Sequence, residues 1–118
     1  MDIVYIETTV VGNIAGRMHA NPDVASRQRI TRLWWTTAAI RYRIVTSRLT
    51  LEECGGGDPT AASERLKIIE RIPLLNESEE AEMLAELLIN GKAVPASEPR
   101  DALHIATAAA NGVQFIAT

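Results

Sequence analysis

The chain alternates short, continuous apolar runs with longer stretches in which apolar residues recur every three or four positions. Ile3-Val4-Tyr5-Ile6, Ile44-Val45-Thr46-Ser47, Ile72-Pro73-Leu74-Leu75 and Val113-Gln114-Phe115-Ile116-Ala117-Thr118 are the short runs. The β-branched, unbroken first run predicts a buried parallel strand, and the other three are short strand candidates. Pro73 marks the third run as an edge strand or a strand start. Between the runs the period becomes helical. Thr8 or Thr9 caps a weak helix containing Gly12 and Gly16. A long helix covers about Asp23 to Arg43, and a helical turn carries Leu51-Glu52-Glu53-Cys54. Thr60 to Arg71 has Leu66 and Ile69 inward. Asn76 to Asn90 carries the stripe Met83, Leu84, Leu87, Leu88, and Pro99 to Gly112 carries Leu103, Ala106 and Ala110. Pro99 suits a first turn, and Gly112 suits the left-handed position just past a helix end. Helices between apolar strands predict a three-layer α/β/α domain with a short, mostly parallel four-stranded sheet.

The long helix does not divide into one apolar and one polar side. Ile30, Leu33, Trp34 and Thr37 form one face, and Trp35, Ala38, Ala39 and Tyr42 form another. Either it is deeply buried or one face meets a partner. The acids of the Asn76–Asn90 helix, by contrast, lie opposite a single stripe and read as a solvated face.

The 118 residues suit one domain, residues 1–118, with one core. No apolar run reaches the roughly 18–20 residues of a membrane span, and no basic-then-apolar leader opens the chain, so a cytoplasmic protein is the expectation. Cys54 is the only cysteine, which excludes an internal disulfide and a multi-cysteine zinc site. A net charge of −3 argues against binding nucleic acid through a broad basic surface. It leaves open an enzyme that meets phosphates through metal ions. Gly55-Gly56-Gly57-Asp58-Pro59 lacks the Lys-Ser/Thr ending of a phosphate-binding loop and reads as a connection.

Three acids occupy equivalent places. Glu7 follows the first strand, Glu53 lies in the helical turn after the second, and Asp101 opens the helix before the last. In a parallel sheet such positions gather at one edge. Three carboxylates within about 4–6 Å repel one another, by roughly 4 kcal/mol per pair at an effective dielectric near 20, unless a cation sits among them. Oxygen donors of this kind suit Mg²⁺ or Mn²⁺, not zinc. Three unrelated surface acids are the plainer alternative, and Asp101 alone is accounted for by the helix dipole.

Val4-Tyr5-Ile6-Glu7-Thr8-Thr9-Val10-Val11 resembles the opening of the PIN-domain ribonucleases, where an acid ends the first strand. Ser47-Arg48-Leu49-Thr50-Leu51-Glu52-Glu53-Cys54 resembles their second motif, with Glu53 at the glutamate position. Asp101-Ala102-Leu103-His104-Ile105-Ala106-Thr107-Ala108, then Gly112 and Phe115-Ile116-Ala117-Thr118, resembles the third motif and its following strand. The order and coverage are similar to VapC-type toxins of toxin–antitoxin pairs. The resemblance implies a PIN-like fold and a metal-dependent endoribonuclease in which Glu7, Glu53 and Asp101 are catalytic and hold Mg²⁺ or Mn²⁺. It also implies an RNA substrate, a cognate antitoxin protein as partner, and a homodimer.

Two departures accompany it. Glu7 stands where the family has aspartate, and the family's fourth acidic or amide position falls two residues after Thr118, so a C-terminal segment is expected beyond this sequence. The alternative function is a catalytically impaired binding module that acts through protein partners. A phosphotransfer receiver is disfavoured: no phosphate-accepting aspartate follows a middle strand and no lysine follows a late one. His104 is one turn beyond Asp101 and reads as an interior histidine. Cys54 reads as a small buried hydrophobe.

Overall fold

The computed structural model describes residues 1–118. The elements run β1 (Ile3–Ile6), α1 (Thr8–Ile14), α2 (Pro22–Arg41), β2 (Arg43–Val45), α3 (Arg48–Cys54), α4 (Pro59–Ile69), α5 (Glu79–Asn90), α6 (Pro99–Ala110) and β3 (Phe115–Ala117). The fold is α/β, with a parallel sheet in the order β2-β1-β3.

β1 is the central strand, which is why its run shows no polar alternation. Val4 pairs with Ile44 and Phe115, and Tyr5 with Val45 and Ile116. Successive side chains leave opposite faces of the sheet. Val4 and Ile6 pack with Val10, Val11, Ala38, Ile44, Cys54 and Ile69, a cluster built with α1, α2, α3 and α4. Tyr5 and Val45 pack on the other side against Ala108 of α6 and Val113. Ala85 of α5 then closes on Ala102 and Ala106 of α6. The small residues of α6 let it lie close to both neighbours.

Helix ends follow local chemistry. Ser47 and Ser78 cap α3 and α5 by accepting from the backbone N–H of Thr50 and Ala81. Pro99 sits in the first turn of α6, and Gly112 follows its end at φ +72°. Two arginines close carbonyl ends left open by short helices. Arg32 donates to the carbonyls of Asn13 in the last turn of α1 and Gly16 beyond it, and Arg65 to those of Cys54 at the end of α3 and Gly56 beyond it.

The expected fourth strand is absent. Ile72–Leu75 makes a single parallel bridge, Leu74 with Thr46, just past the end of β2. The Thr46 N–H donates to the Pro73 carbonyl and the Leu75 N–H to the Thr46 carbonyl. Pro73 has no N–H to extend the ladder, and the run stops at one contact. The sheet therefore has three strands.

The two apolar faces of α2 are both split: Ala38 is buried in the core with half-buried Trp35 and Tyr42 of one face and Trp34 of the other packed against it, while Ala39 is exposed. Ile30 and Leu33 point to solvent. No helix is long and apolar enough to cross a membrane.

Candidate functional site

Parallel strands deliver their carboxyl ends to one edge. Glu7 follows β1, Ser47 follows β2 and Thr118 follows β3. Beside this edge lies a cleft of ≈ 470 Å³ lined by Glu7, Thr9, Asp101, His104, Ile105, Ile116 and Thr118.

Glu7 is extended (φ −104°, ψ 177°) and caps α1, one carboxylate oxygen accepting from the Val10 N–H at 3.3 Å. Its half-buried side chain thus leaves the second oxygen for the cleft. Asp101 sits exposed in the first turn of α6, where the helix dipole favours an acid. Two of the three expected acids therefore line one cavity, as α6 and the end of β1 require.

Glu53 is placed differently. It projects from α3 into hydrogen bonds: its Oε1 accepts from Thr8 Oγ1 at 2.7 Å and meets His104 Nε2 at 2.6 Å. Arg100 approaches Oε2 at 3.6 Å. Glu53 does not line the cleft; His104 stands between, touching Glu53 on one side and the cavity on the other. No group of three or more His, Cys, Asp or Glu side chains is arranged to hold a metal ion. Glu7, Glu53 and Asp101 are thus not a ready-made triad.

Behind His104 the contacts continue. His104 Nδ1 meets the Tyr5 hydroxyl at 2.5 Å, and that hydroxyl meets Ser47 Oγ at 2.7 Å and Thr50 Oγ1 at 3.3 Å. Donor counting fixes the directions for a neutral ring. The Glu53 carboxylate only accepts, so Nε2 donates to it and Nδ1 accepts from Tyr5. The Tyr5 oxygen then accepts from Ser47 and Thr50. Ser47 Oγ also accepts from the Thr50 N–H. Every buried polar side-chain atom has a partner, as burial demands.

The charges follow from this packing. Burial pushes the Tyr5 hydroxyl above its ordinary value, against the hydrogen bonds of Ser47 and Thr50, and the charges of Glu53 and Glu7 add to the rise. Burial alone would also raise the Glu53 carboxyl. The hydrogen bonds from Thr8 and His104, with the positive charge of His104 when protonated and of Arg100, outweigh it and hold Glu53 below the usual range. Burial pushes the Cys54 thiol up to about 11, which leaves it an inert member of the core, as expected of it.

The chemistry of the cleft donors decides what they can hold. Glu7 and Asp101 are carboxylates and Thr9 and Thr118 hydroxyls, all hard oxygen donors. Mg²⁺ keeps several waters and takes one or two carboxylates together with substrate phosphate oxygens. The residues present fit such a hydrated ion on Glu7 and Asp101. They do not fit an ion that also needs Glu53, which does not line the cleft and has its Oε1 engaged by Thr8 and His104.

The role of Tyr5 is not legible as part of an apolar run. The signal was its hydroxyl, which in a buried strand must find a partner; Ser47, the cap of α3, and Thr50 supply two of them. No family model, curated protein or solved structure matches the chain.

Proposed function

We propose that the chain is a metal-dependent endoribonuclease of PIN-like fold, the toxin of a VapC-type toxin–antitoxin pair. The observation that carries this reading is the pairing of Glu7 with Asp101 in one cleft at the carboxyl edge of a parallel sheet. The ordered motif resemblance supplies the substrate class. Glu7 and Asp101 would hold Mg²⁺ or Mn²⁺, which would supply activation of water and offset of the charge developing on the scissile phosphate. The half-buried Glu7 is oriented by the Val10 N–H, and Thr9 and Thr118 offer hydroxyls to the RNA backbone. Glu53 is a positioning residue. It fixes the His104 ring, which forms the inner wall of the cleft, and its negative charge adds to the field that draws a cation.

A second reading is favoured by one observation. One oxygen of Glu53 is engaged by Thr8 and His104 and the other faces Arg100 at 3.6 Å, as expected of a catalytically impaired module that acts through protein partners. Metal binding separates the two. Under the enzyme reading, millimolar Mn²⁺ raises the melting temperature, because a ligand held only by the folded state stabilises it by mass action. RNA cleavage then depends on Mn²⁺ and stops with a chelator. Calorimetry that detects no Mn²⁺ or Mg²⁺ binding at millimolar concentration contradicts the enzyme and leaves the binding module.

A further inference from the structure

The proposed substrate meets an electrostatic obstacle at the cleft. RNA is a polyanion, the chain carries a net charge of −3, and Glu7 and Asp101 line the cavity with Glu53 behind His104. A metal ion offsets charge where it binds, but the phosphates flanking the scissile one need donors of their own. Arg100 is the cation placed to supply one. It lies in the first turn of α6, one residue before Asp101. Of the twelve lysines and arginines, only Arg100 forms an ion pair, its Nη1 standing 3.6 Å from Glu53 Oε2. The other oxygen of Glu53 holds His104, whose ring lines the cleft. One carboxylate therefore ties Arg100 to the wall of the cavity. Arg32 and Arg65, by contrast, donate to backbone carbonyls and are spent on them. The Arg100 contact is too long for a hydrogen bond, and its side chain is 70% exposed, so its fork of N–H donors stays open to a ligand. A pair this exposed adds little to folding. Its consequence is position.

We propose that Arg100 is a substrate-binding residue that grips an RNA phosphate next to the scissile one, and that Glu53 holds it beside the cleft. A planar guanidinium meets two phosphate oxygens at once, a match that a lysine lacks. Glu53 then has two tasks: it fixes the His104 ring through one oxygen and aims Arg100 with the other. The contact reads backbone and carries no base information, so it strengthens binding to single-stranded RNA of any sequence. The assignment rests on the RNA substrate proposed above and stands apart from the metal.

Fluorescence anisotropy of a single-stranded RNA oligonucleotide with the intact protein, in chelator and over a salt series, tests it without cleavage. Arg100→Gln should weaken binding by about tenfold. It should also lower the slope of log affinity against log salt by about 0.7, the share of one phosphate on a single strand. Arg100→Lys should restore that slope, because it keeps the charge, but only part of the affinity, because it lacks the fork. Lys67→Gln removes the same charge from an exposed position in the last turn of α4, beside a different cavity, and should change neither quantity. In Mn²⁺, Arg100→Gln should raise KM with little change in kcat. Its Mn²⁺ affinity by calorimetry should stay the same or rise, because a positive neighbour is gone. Circular dichroism reports folding in every case. If Arg100→Gln binds RNA with unaltered affinity and slope while Mn²⁺-dependent cleavage persists, the role of Arg100 is overturned and the cleft assignment stands. Equal losses from Lys67→Gln would assign the effect to overall charge and overturn it too. A protein that binds no Mn²⁺ yet loses RNA affinity through Arg100→Gln keeps the role of Arg100 and removes the metal reading. One that binds no RNA overturns both.

Discussion

The wall behind the cleft and the front of the cleft each carry acids and use them in opposite ways. Behind, Tyr5, Ser47, Thr50, His104 and Glu53 exchange hydrogen bonds among themselves. In front, Glu7 spends one oxygen on a helix cap and Asp101 stands exposed at a helix start. A buried group whose partners are all internal contributes to folding and is costly to alter. An acid whose capacity is left open to a cavity is cheap to alter and available to a ligand. The difference separates Glu53 from Glu7 and Asp101, which motif position alone treats as equals.

The comparison is broken most forcefully at His104. His104→Ala removes a buried ring and strands both the Tyr5 hydroxyl and the Glu53 carboxylate, so chemical denaturation should show a loss of about 3 kcal/mol. A loss below about 1 kcal/mol would mean that the wall is not a connected network. Tyr5→Phe keeps the ring and removes only the hydroxyl, leaving His104 Nδ1 and the Ser47 hydroxyl to find other partners. The expected cost is about 1–3 kcal/mol, again from denaturation midpoints, and a neutral outcome would assign the ring packing alone to Tyr5.

Titration sharpens the comparison further. Glu53 is held below its ordinary range in the folded protein, so its contribution is complete above the unfolded carboxylate value and is lost as pH falls through the folded one. Tyr5 and Cys54 are shifted upward, so the folded protein retains their protons longer and stability declines as pH climbs past their ordinary values. For Cys54 the decline runs between 9.0 and about 11. By pH 10 it amounts to about 1 kcal/mol. Stability measured against pH should fall at both ends, and Cys54→Ala should flatten the alkaline limb. An unchanged alkaline limb in that variant would remove Cys54 from the account.

Much of this arrangement was legible in the chain itself, for local reasons. Ile3–Ile6 reads as a doubly buried strand because every residue in it is apolar in bulk, and the Pro99 start and Gly112 end of α6 are fixed by backbone chemistry. Glu7 and Asp101 converge because parallel strands bring their carboxyl ends to one edge. What failed to show depended on tertiary partners. Ile72–Leu75 has a strand's composition but, with Pro73 in it, only one bridge to make. Two apolar faces on α2 are visible in the sequence, but which of their residues meet the Val4 and Ile6 cluster is decided by packing. The withdrawal of Glu53 behind His104 depends on Thr8 and Arg100, residues 45 and 47 positions away in the chain, and no spacing rule announces it.

The smallest expected effect on folding belongs to the residue with the largest expected effect on chemistry. Asp101→Asn keeps the shape of the side chain, removes one charge from the cleft, and should change stability without metal by at most about 1 kcal/mol. Measured side by side with the unaltered protein, Mn²⁺ affinity by calorimetry and Mn²⁺-dependent RNA cleavage give the direct test. Weak Mn²⁺ binding and lost cleavage, with folding intact, are the results predicted for an acid that shares an ion with Glu7. RNA cleavage by Asp101→Asn at the rate of the unaltered protein would contradict the assignment of the cleft.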